Sequence, residues 1–352
     1  MTFNINLANI KPANSRSATA KRILIPFSLL IVILLQGCDA SFYWQAAQGQ
    51  MDLLQRRQPI PELIQDNATD PQLKSQLNYV LRVRAFAAEQ LHLTVNNNYL
   101  TYADLQRPYV VWNVFATPEL SLENQRWCFP IAGCVPYRGY FTEADADAFA
   151  KELAGNGFDT YVGGVAAYST LGWFDDAVLN TFVSRDQLSL AALLIHELAH
   201  QTLYVPDDST FNESFATAVE NIGLELWIEY AKLQNQLPAY QEAKRRQDQF
   251  LDLVLQHRDE REKLFSSPLS DDEKRQRKAQ LQTELQAAYT QLKARWQSSD
   301  GKSYDGYDRW FAQPVNNAQL STVATYHALE PGFRALVEQS GRDFRTFFKR
   351  CR

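Results

Sequence analysis

The run Leu193-Leu194-Ile195-His196-Glu197-Leu198-Ala199-His200-Gln201 sets two histidines four residues apart inside an apolar, helix-forming stretch. On a helix, positions i and i+4 lie one above the other on the same face, so both imidazoles can aim at one point. Two of the ligands of a tetrahedral zinc site need that geometry. Glu197 follows the first histidine, where a carboxylate can reach a metal-bound water and take its proton. The bland alternative is an amphipathic helix that happens to carry these three side chains. Only five histidines occur in the 352 residues, which makes the pairing informative.

The length allows a sizeable core and one or two domains. Apolar residues at 45% and charged residues at 21% are ordinary for a globular chain. The net charge is −5, and no basic domain points to nucleic acid as a partner. At the N-terminus, residues 1–22 carry Lys11, Arg16, Lys21 and Arg22 without an acid. An apolar run from Ile23 to Leu35 follows, then Gln36-Gly37-Cys38. A basic region, a short apolar region and a small residue before the cut describe an export signal. The run is short of the roughly 20 residues that span a bilayer. Its end is similar to a bacterial lipobox, which makes Cys38 the expected lipidated first residue of the mature chain. Asp39, by analogy with enterobacterial sorting, favours the inner membrane. The expected location is therefore the periplasmic side of a bacterial envelope, through an N-terminal lipid anchor.

In that oxidising compartment Cys128 and Cys134 are expected to close a small loop, with free thiols or a metal pair as the alternatives. Cys351 is left over. Helices are expected from Phe42 to Gln58 and from Pro71 to Gln90, where Leu73, Leu77, Val80, Leu81 and Phe86 recur at helical spacing. Tyr109 to Ala116 reads as a buried strand, and Gly139 to Phe141 as an extension of the strand-like part. Glu143 to Leu153 is an Ala-rich helix, and Phe158 to Ala167 another strand. Glycines inside a strand mark a close backbone approach or a bulge. Gluzincin-like peptidases pair an extended substrate with an edge strand beside the metal. That resemblance makes Val162 to Thr170, with Gly163, Gly164 and Tyr168, the candidate segment, a plain structural strand being the alternative.

The metal helix is expected from Gln187 to Tyr204, stopped by Pro206. The short loop after it lets the helix beginning at Phe211 fold back as an antiparallel neighbour. That brings Glu213 to the two histidines as a third ligand, with a fourth position open for water. Glu220, two turns later, is the runner-up, as a ligand or as a carboxylate that holds a histidine. Asn212-Glu213 at a helix start resembles the third-ligand motif of gluzincins, although the thirteen residues from His200 to Glu213 are fewer than in thermolysin-like families.

His196-Glu197-Leu198-Ala199-His200-Gln201, Phe211-Asn212-Glu213-Ser214-Phe215-Ala216 and the segment from Trp127 to Phe141 together resemble a bacterial family known as "putative aminopeptidases". Tyr161 to Val165, Tyr168 to Trp173 and Asn316 to His327 extend the resemblance over nearly the whole mature chain. It implies a metallopeptidase with one Zn²⁺ held by His196, His200 and Glu213, and Glu197 as catalytic base. Gluzincins commonly place a downstream Tyr or His at the developing oxyanion, which nominates Tyr326 and His327. No Gly-x-Met-x-Asn signature for binding a free amino terminus occurs, and Asp175, Asp176 and Glu119 are equal candidates for that task.

From Tyr240 to Trp296 the pattern fits two long amphipathic helices folded as a hairpin. Trp310 to Arg350 reads as a return to the core. The expected fold is α+β and mainly helical: a zincin-like metallopeptidase with a small sheet and an inserted hairpin. Its parts are a lipoprotein signal peptide (1–38), N-terminal helices with the small sheet and catalytic core (39–239), the hairpin (240–299) and completing helices (300–352). The expected reaction is peptide-bond hydrolysis by a metal-activated water on a peptide or protein substrate. An aminopeptidase is favoured over an envelope endopeptidase or a noncatalytic zinc lipoprotein.

Overall fold

A computed structural model describes residues 40–129, 133–167, 170, 174–296, 304–323 and 329–351. The chain divides into two units, residues 1–44 and 45–352. Of the first, residues 40–44 are described and begin a helix. The second holds the sheets and the remaining described helices. The expected lipidation site Cys38 lies outside the described residues. Among the described residues, no helix is long and apolar enough to cross a membrane.

In chain order the elements are α1 (Ala40–Gln55), β1 (Gln58–Pro59), α2 (Ile60–Gln65), α3 (Pro71–Glu89), β2 (Thr101–Ala103) and β3 (Val111–Pro118). Next come β4 (Trp127–Phe129), β5 (Gly133–Val135), β6 (Arg138–Tyr140), α4 (Glu143–Gly155), β7 (Phe158–Val165) and β8 (Val178–Leu179). Then follow α5 (Asn180–Val183), α6 (Gln187–Thr202), α7 (Ser209–Ala231), α8 (Leu237–Phe265) and α9 (Asp271–Arg295). The last are α10 (Asn317–Ser321), α11 (Glu330–Gln339) and α12 (Phe344–Cys351). The result is mainly helical with small sheets, an α+β arrangement.

Local chemistry sets the helix boundaries. Asp70 and Asp186 accept hydrogen bonds from the first free backbone N–H groups of α3 and α6, and Asp208 does so for α7. Pro71 stands at the first position of α3, where its missing N–H costs nothing. Helix α6 is apolar nearly all round, with Leu188, Leu190, Ala191, Leu194, Ile195, Leu198 and Ala199 buried, so it runs through the core rather than over it. Helices α3 and α7 pack against it. The Tyr79 hydroxyl ties the three together: it donates to the Gln187 carbonyl at 2.7 Å and accepts from the Trp227 indole at 2.8 Å. Phe344, Phe347 and Phe348 of α12 close this core.

Three small sheets surround it, in strand orders β1-β2-β8, β6-β3-β7 and β4-β5. In the second sheet β3 is central and pairs antiparallel with both neighbours, leaving β7 at an edge. Alternate residues of β3 (Trp112, Val114, Ala116) are buried, as a strand with one covered face requires. A second core joins the hairpin to residues 304–323: Phe250, Val254, Leu285, Tyr289, Leu292 and Trp296 pack with Phe311, Val315, Leu320 and Val323. Stacking of Phe250 on Tyr307 (centroids 4.1 Å apart) belongs to it. The stretch after the hairpin thus gives its aromatic residues to the hairpin, where the sequence suggested a direct return to the main core. Among the described residues of this stretch, those of α11 and α12 make that return.

The hairpin is fastened to the sheet by a mostly buried ion pair. Lys278 Nζ donates to Asp159 Oδ2 at 2.6 Å and to the Glu119 carbonyl at 2.8 Å, and Asn317 N donates to the same Asp159 oxygen at 3.0 Å. The Lys278 side chain is only 9% exposed. Asp159→Ala therefore strands a buried ammonium and should cost about 3 kcal/mol, the scale for stripping one partner from such a pair. A lower urea midpoint at unchanged m-value would show it.

Candidate functional site

The site is built on the last turns of α6 and the first turns of α7. The connector 203–208 reverses the chain, and a side-chain clasp holds the reversal. Asn212 Oδ1 accepts from Val205 N at 2.8 Å, while Asn212 Nδ2 donates to the Val205 carbonyl at 2.7 Å. Glu213, the next residue, is thereby carried to the histidine face of α6.

His196 Nε2 and His200 Nε2 stand 3.2 Å apart. Glu213 Oε2 lies 3.3 Å from the first and 3.8 Å from the second. Donors about 2.1 Å from a tetrahedral ion stand about 3.4 Å from one another, so these three atoms are already spaced like three corners of one. His196, His200 and Glu213 can hold a metal ion. The wiring of His196 supports the same conclusion. Its Nδ1 lies 3.0 Å from Glu220 Oε2. With Nδ1 engaged by Glu220, Nε2 of His196 is the ring atom turned toward Glu213 and the His200 ring. His200 Nδ1 is buried and has no partner among the described residues. With two imidazole nitrogens and a carboxylate oxygen converging, a cation fits the space between them once His196 gives up its extra proton. Of the two acidic candidates on α7, Glu213 meets the Nε2 atoms and Glu220 meets the far side of the His196 ring.

Proton affinities follow from burial and from this crowding. Burial works against a charge on His196, but hydrogen bonds to Glu213 and Glu220 outweigh it and raise its pKa well above the usual imidazole value. Burial and then the positive His196 push His200 down to about 4. For Glu213 burial is overridden by the His196 hydrogen bond and by both rings' charges, so its pKa falls. Glu197 is buried, and its carboxyl rises to about 7, chiefly from burial, with Glu213, Asp176 and Glu220 adding to the rise against His196. A buried carboxyl poised near neutrality beside side chains that can hold a metal has the proton affinity a general base needs.

Three tyrosines that sequence reasoning passed over surround the carboxylates. Tyr99 is buried beside Glu197 and Asp176, with its pKa raised well above normal by burial first. Tyr204, just past α6, rises through burial and then Glu213. Tyr137, between β5 and β6, is pushed up to about 12 by burial, Glu213, Tyr204 and Glu197 in that order. The available signal was weak: Tyr137 sits in a quoted segment, but nothing local says which way its ring turns.

The other candidates are distributed as follows. In the β3–β7 pairing Gly163 lies opposite Asn113, and Gly164 opposite Trp112, so the two glycines face opposite sides of the sheet. Gly163 shares the face of Phe115 and Tyr161, the face that meets the Tyr137 ring. Gly164 lies on the other, where a Cβ would stand 2.3 Å from the Tyr109 ring, so its missing side chain makes room for packing. The Thr160 carbonyl on edge strand β7 accepts from Asn316 Nδ2 at 2.8 Å. Tyr168, Tyr326 and His327 lie outside the described residues. Cys128 and Cys134 form a disulfide that closes the β4–β5 hairpin, and Cys351 is free. Of the three acids considered for a substrate amine, Glu119 pairs with Arg275 on the hairpin. Asp175 accepts from Asn97 Nδ2 at 3.4 Å. Asp176 is buried, accepts from Gln201 Nε2 at 3.1 Å and from Thr170, and bears on the charge of Glu197.

Comparison with curated proteins and with solved structures finds no match for this chain. A family model does match, over residues 41–352, a span that leaves out only the first residue of the elements described above. The chain belongs to the family described as "Putative aminopeptidase".

Proposed function

We propose that the protein is a zinc-dependent peptidase of zincin-like architecture that hydrolyses peptide bonds, acting as an aminopeptidase. The carrying observation is the convergence of His196, His200 and Glu213 at tetrahedral spacing beside a buried carboxyl that titrates near neutrality. His196, His200 and Glu213 would hold the ion, and Glu220 would orient the His196 ring from behind. Bound there, zinc would acidify a water and polarise the scissile carbonyl. Glu197 takes the proton of the attacking water and returns it to the departing amine. The edge strand β7, with Gly163 on the Phe115–Tyr161 face, aligns an extended substrate. Tyr326 and His327 remain proposals for the oxyanion. The N-terminal segment ending at Cys38 places the enzyme on the periplasmic side of a bacterial membrane through a lipid anchor, with peptides or proteins as substrates.

The test uses the chain from residue 39 onward, loaded with zinc, on matched peptides with free and with acetylated amino termini. Cleavage confined to free termini is expected. Equal cleavage of acetylated peptides would make it an endopeptidase. Zinc bound with neither peptide cleaved would leave a noncatalytic zinc protein.

Zinc uptake should also release protons. In the metal-free chain His196 holds an extra proton and Glu197 is about half protonated at pH 7, because both pKa values are raised. A cation displaces the first proton and draws Glu197 down, so affinity rises with pH and at least about one proton leaves per ion near neutrality. Release should fall above pH 8, where Glu197 is already ionised. Calorimetric zinc titrations in buffers of different ionisation enthalpy measure this directly, and no buffer dependence at pH 7 would contradict it.

A further inference from the structure

The main core and the hairpin core are separate, and a cleft of about 750 Å³ lies between them. One wall is α7, with Leu224 and Ile228 from the main core. The other is α8, whose Leu251 and Leu255 pack on the hairpin core, and the first turns of α11 add Glu330 and Arg334. The volume is that of a ligand pocket. The lining on α8 runs from Leu237 to Leu255, about five turns, so the cleft is long rather than round.

The cleft continues the face of α7 that carries Glu213. Glu220 Oε2 meets His196 Nδ1 at 3.0 Å. The next residue, Asn221, lines the cleft and donates from Nδ2 to Glu330 Oε1 at 3.1 Å. Leu224 comes about three turns after Glu213, on the same side of the helix. At about 1.5 Å of rise per residue, Leu224 stands about 16 Å and Ile228 about 22 Å along the axis from Glu213. An extended chain whose first peptide bond sits at the two histidines and Glu213 therefore reaches the cleft with about its sixth to eighth residues.

The charges of the lining are unevenly paired. Its three cations are taken: Arg334 by Glu225 at 2.5 Å, Arg245 by Glu242 at 2.7 Å and Lys244 by Asp248 at 3.6 Å. Among the described residues Glu330 is met only by the Asn221 amide, and Asp252 by no partner. Apolar walls with two uncompensated carboxylates suit a segment that mixes apolar and basic side chains, and they repel an acidic one.

We propose that this cleft is an exosite for the peptide substrate. It takes the segment beyond about the fifth residue, seats apolar side chains on Leu224, Ile228, Leu251 and Leu255, and pairs lysines or arginines with Asp252 and Glu330. This rests on the peptidase reading above and gives that enzyme a preference for long basic peptides over short or acidic ones.

The experiment compares two decapeptides with free amino termini and the same first four residues on the zinc-loaded chain. One continues with alternating leucine and lysine, the other with alternating leucine and glutamate, and each carries a benzophenone at residue 7. The lysine peptide should be cleaved with about 10-fold higher kcat/KM, carried by KM, since one charge pattern attracts and the other repels. Truncating it to its first four residues should raise KM by a similar factor. Asp252→Lys, at an exposed position, should cut the lysine-to-glutamate ratio by about 3-fold or more. On irradiation the lysine peptide should label α7 or α8 between residues 221 and 255. If the two decapeptides are cleaved within about 2-fold of each other, or if Asp252→Lys leaves their ratio intact, the inference falls while the peptidase reading stands. Labelling confined to residues outside the cleft also overturns it and leaves the cleft to another occupant. Labelling of the cleft with neither peptide cleaved keeps the binding site and removes the peptidase reading. Neither cleavage nor labelling removes both.

Discussion

Glu197→Gln should lower kcat/KM by about 10²–10⁴-fold, the range attributed to a positioned general base, with zinc still bound. The amide is nearly the same size as the carboxyl, so it leaves no cavity, and Glu197 is not among the three converging donors. The pH profile sharpens the prediction. As a general base Glu197 would act in its ionised form, and burial raises the metal-free carboxyl to about 7. A bound cation draws that value down, because an opposite charge favours the ionised form. The acid limb of kcat/KM in the wild type should therefore fall below pH 7, with activity rising as pH increases through it. A variant that keeps more than a tenth of wild-type kcat/KM, as judged against the factor of ten per about 1.4 kcal/mol of barrier, would remove Glu197 from the chemistry.

Removing Glu213 should be as severe by a different route. Glu213→Ala leaves two imidazoles, and zinc affinity should drop by more than about 10³-fold, beyond the 10–100-fold that loss of an outer hydrogen-bond partner costs. Glu220→Ala should fall within that smaller range and recover activity at saturating zinc, because it takes away only the acceptor for His196 Nδ1. Competition titrations with a chromophoric chelator rank the two variants. The order decides the assignment: if Glu220→Ala loses more zinc than Glu213→Ala, the ligand and the supporting carboxylate have been exchanged.

Part of this protein is legible without coordinates because the physics is local. The i, i+4 spacing of His196 and His200 converges them on any helix, and α6 is announced by its apolar run, by Asp186 at its start and by Pro206 beyond its end. The strand β3 shows in its β-branched and aromatic residues, and α3 in Asp70-Pro71. The short loop after α6 also implied that α7 would turn back, which placed Glu213 and Glu220 near the histidines together.

Other features depend on which distant segments meet, and local periodicity carries no record of that. Both glutamates lie on one face of α7, two turns apart; only the packing of α7 on α6 settles that Glu213 meets Nε2 and Glu220 meets Nδ1. Gly163 and Gly164 are neighbours in sequence, yet the register against Asn113 and Trp112 sends them to opposite faces. The hairpin reads as a solvated arm because its partners, Phe311, Val315 and Leu320, come from a separate stretch. Tyr137 carries no motif, and only the folded chain brings it under the influence of Glu213 and Glu197. The sequence alone determined the two histidines and the glutamate between them, whose placement one helix supplies. Tertiary structure decided which glutamate meets the Nε2 atoms and which face of the sheet each glycine takes, because each needs two segments far apart in the chain to be held within a few ångströms of each other.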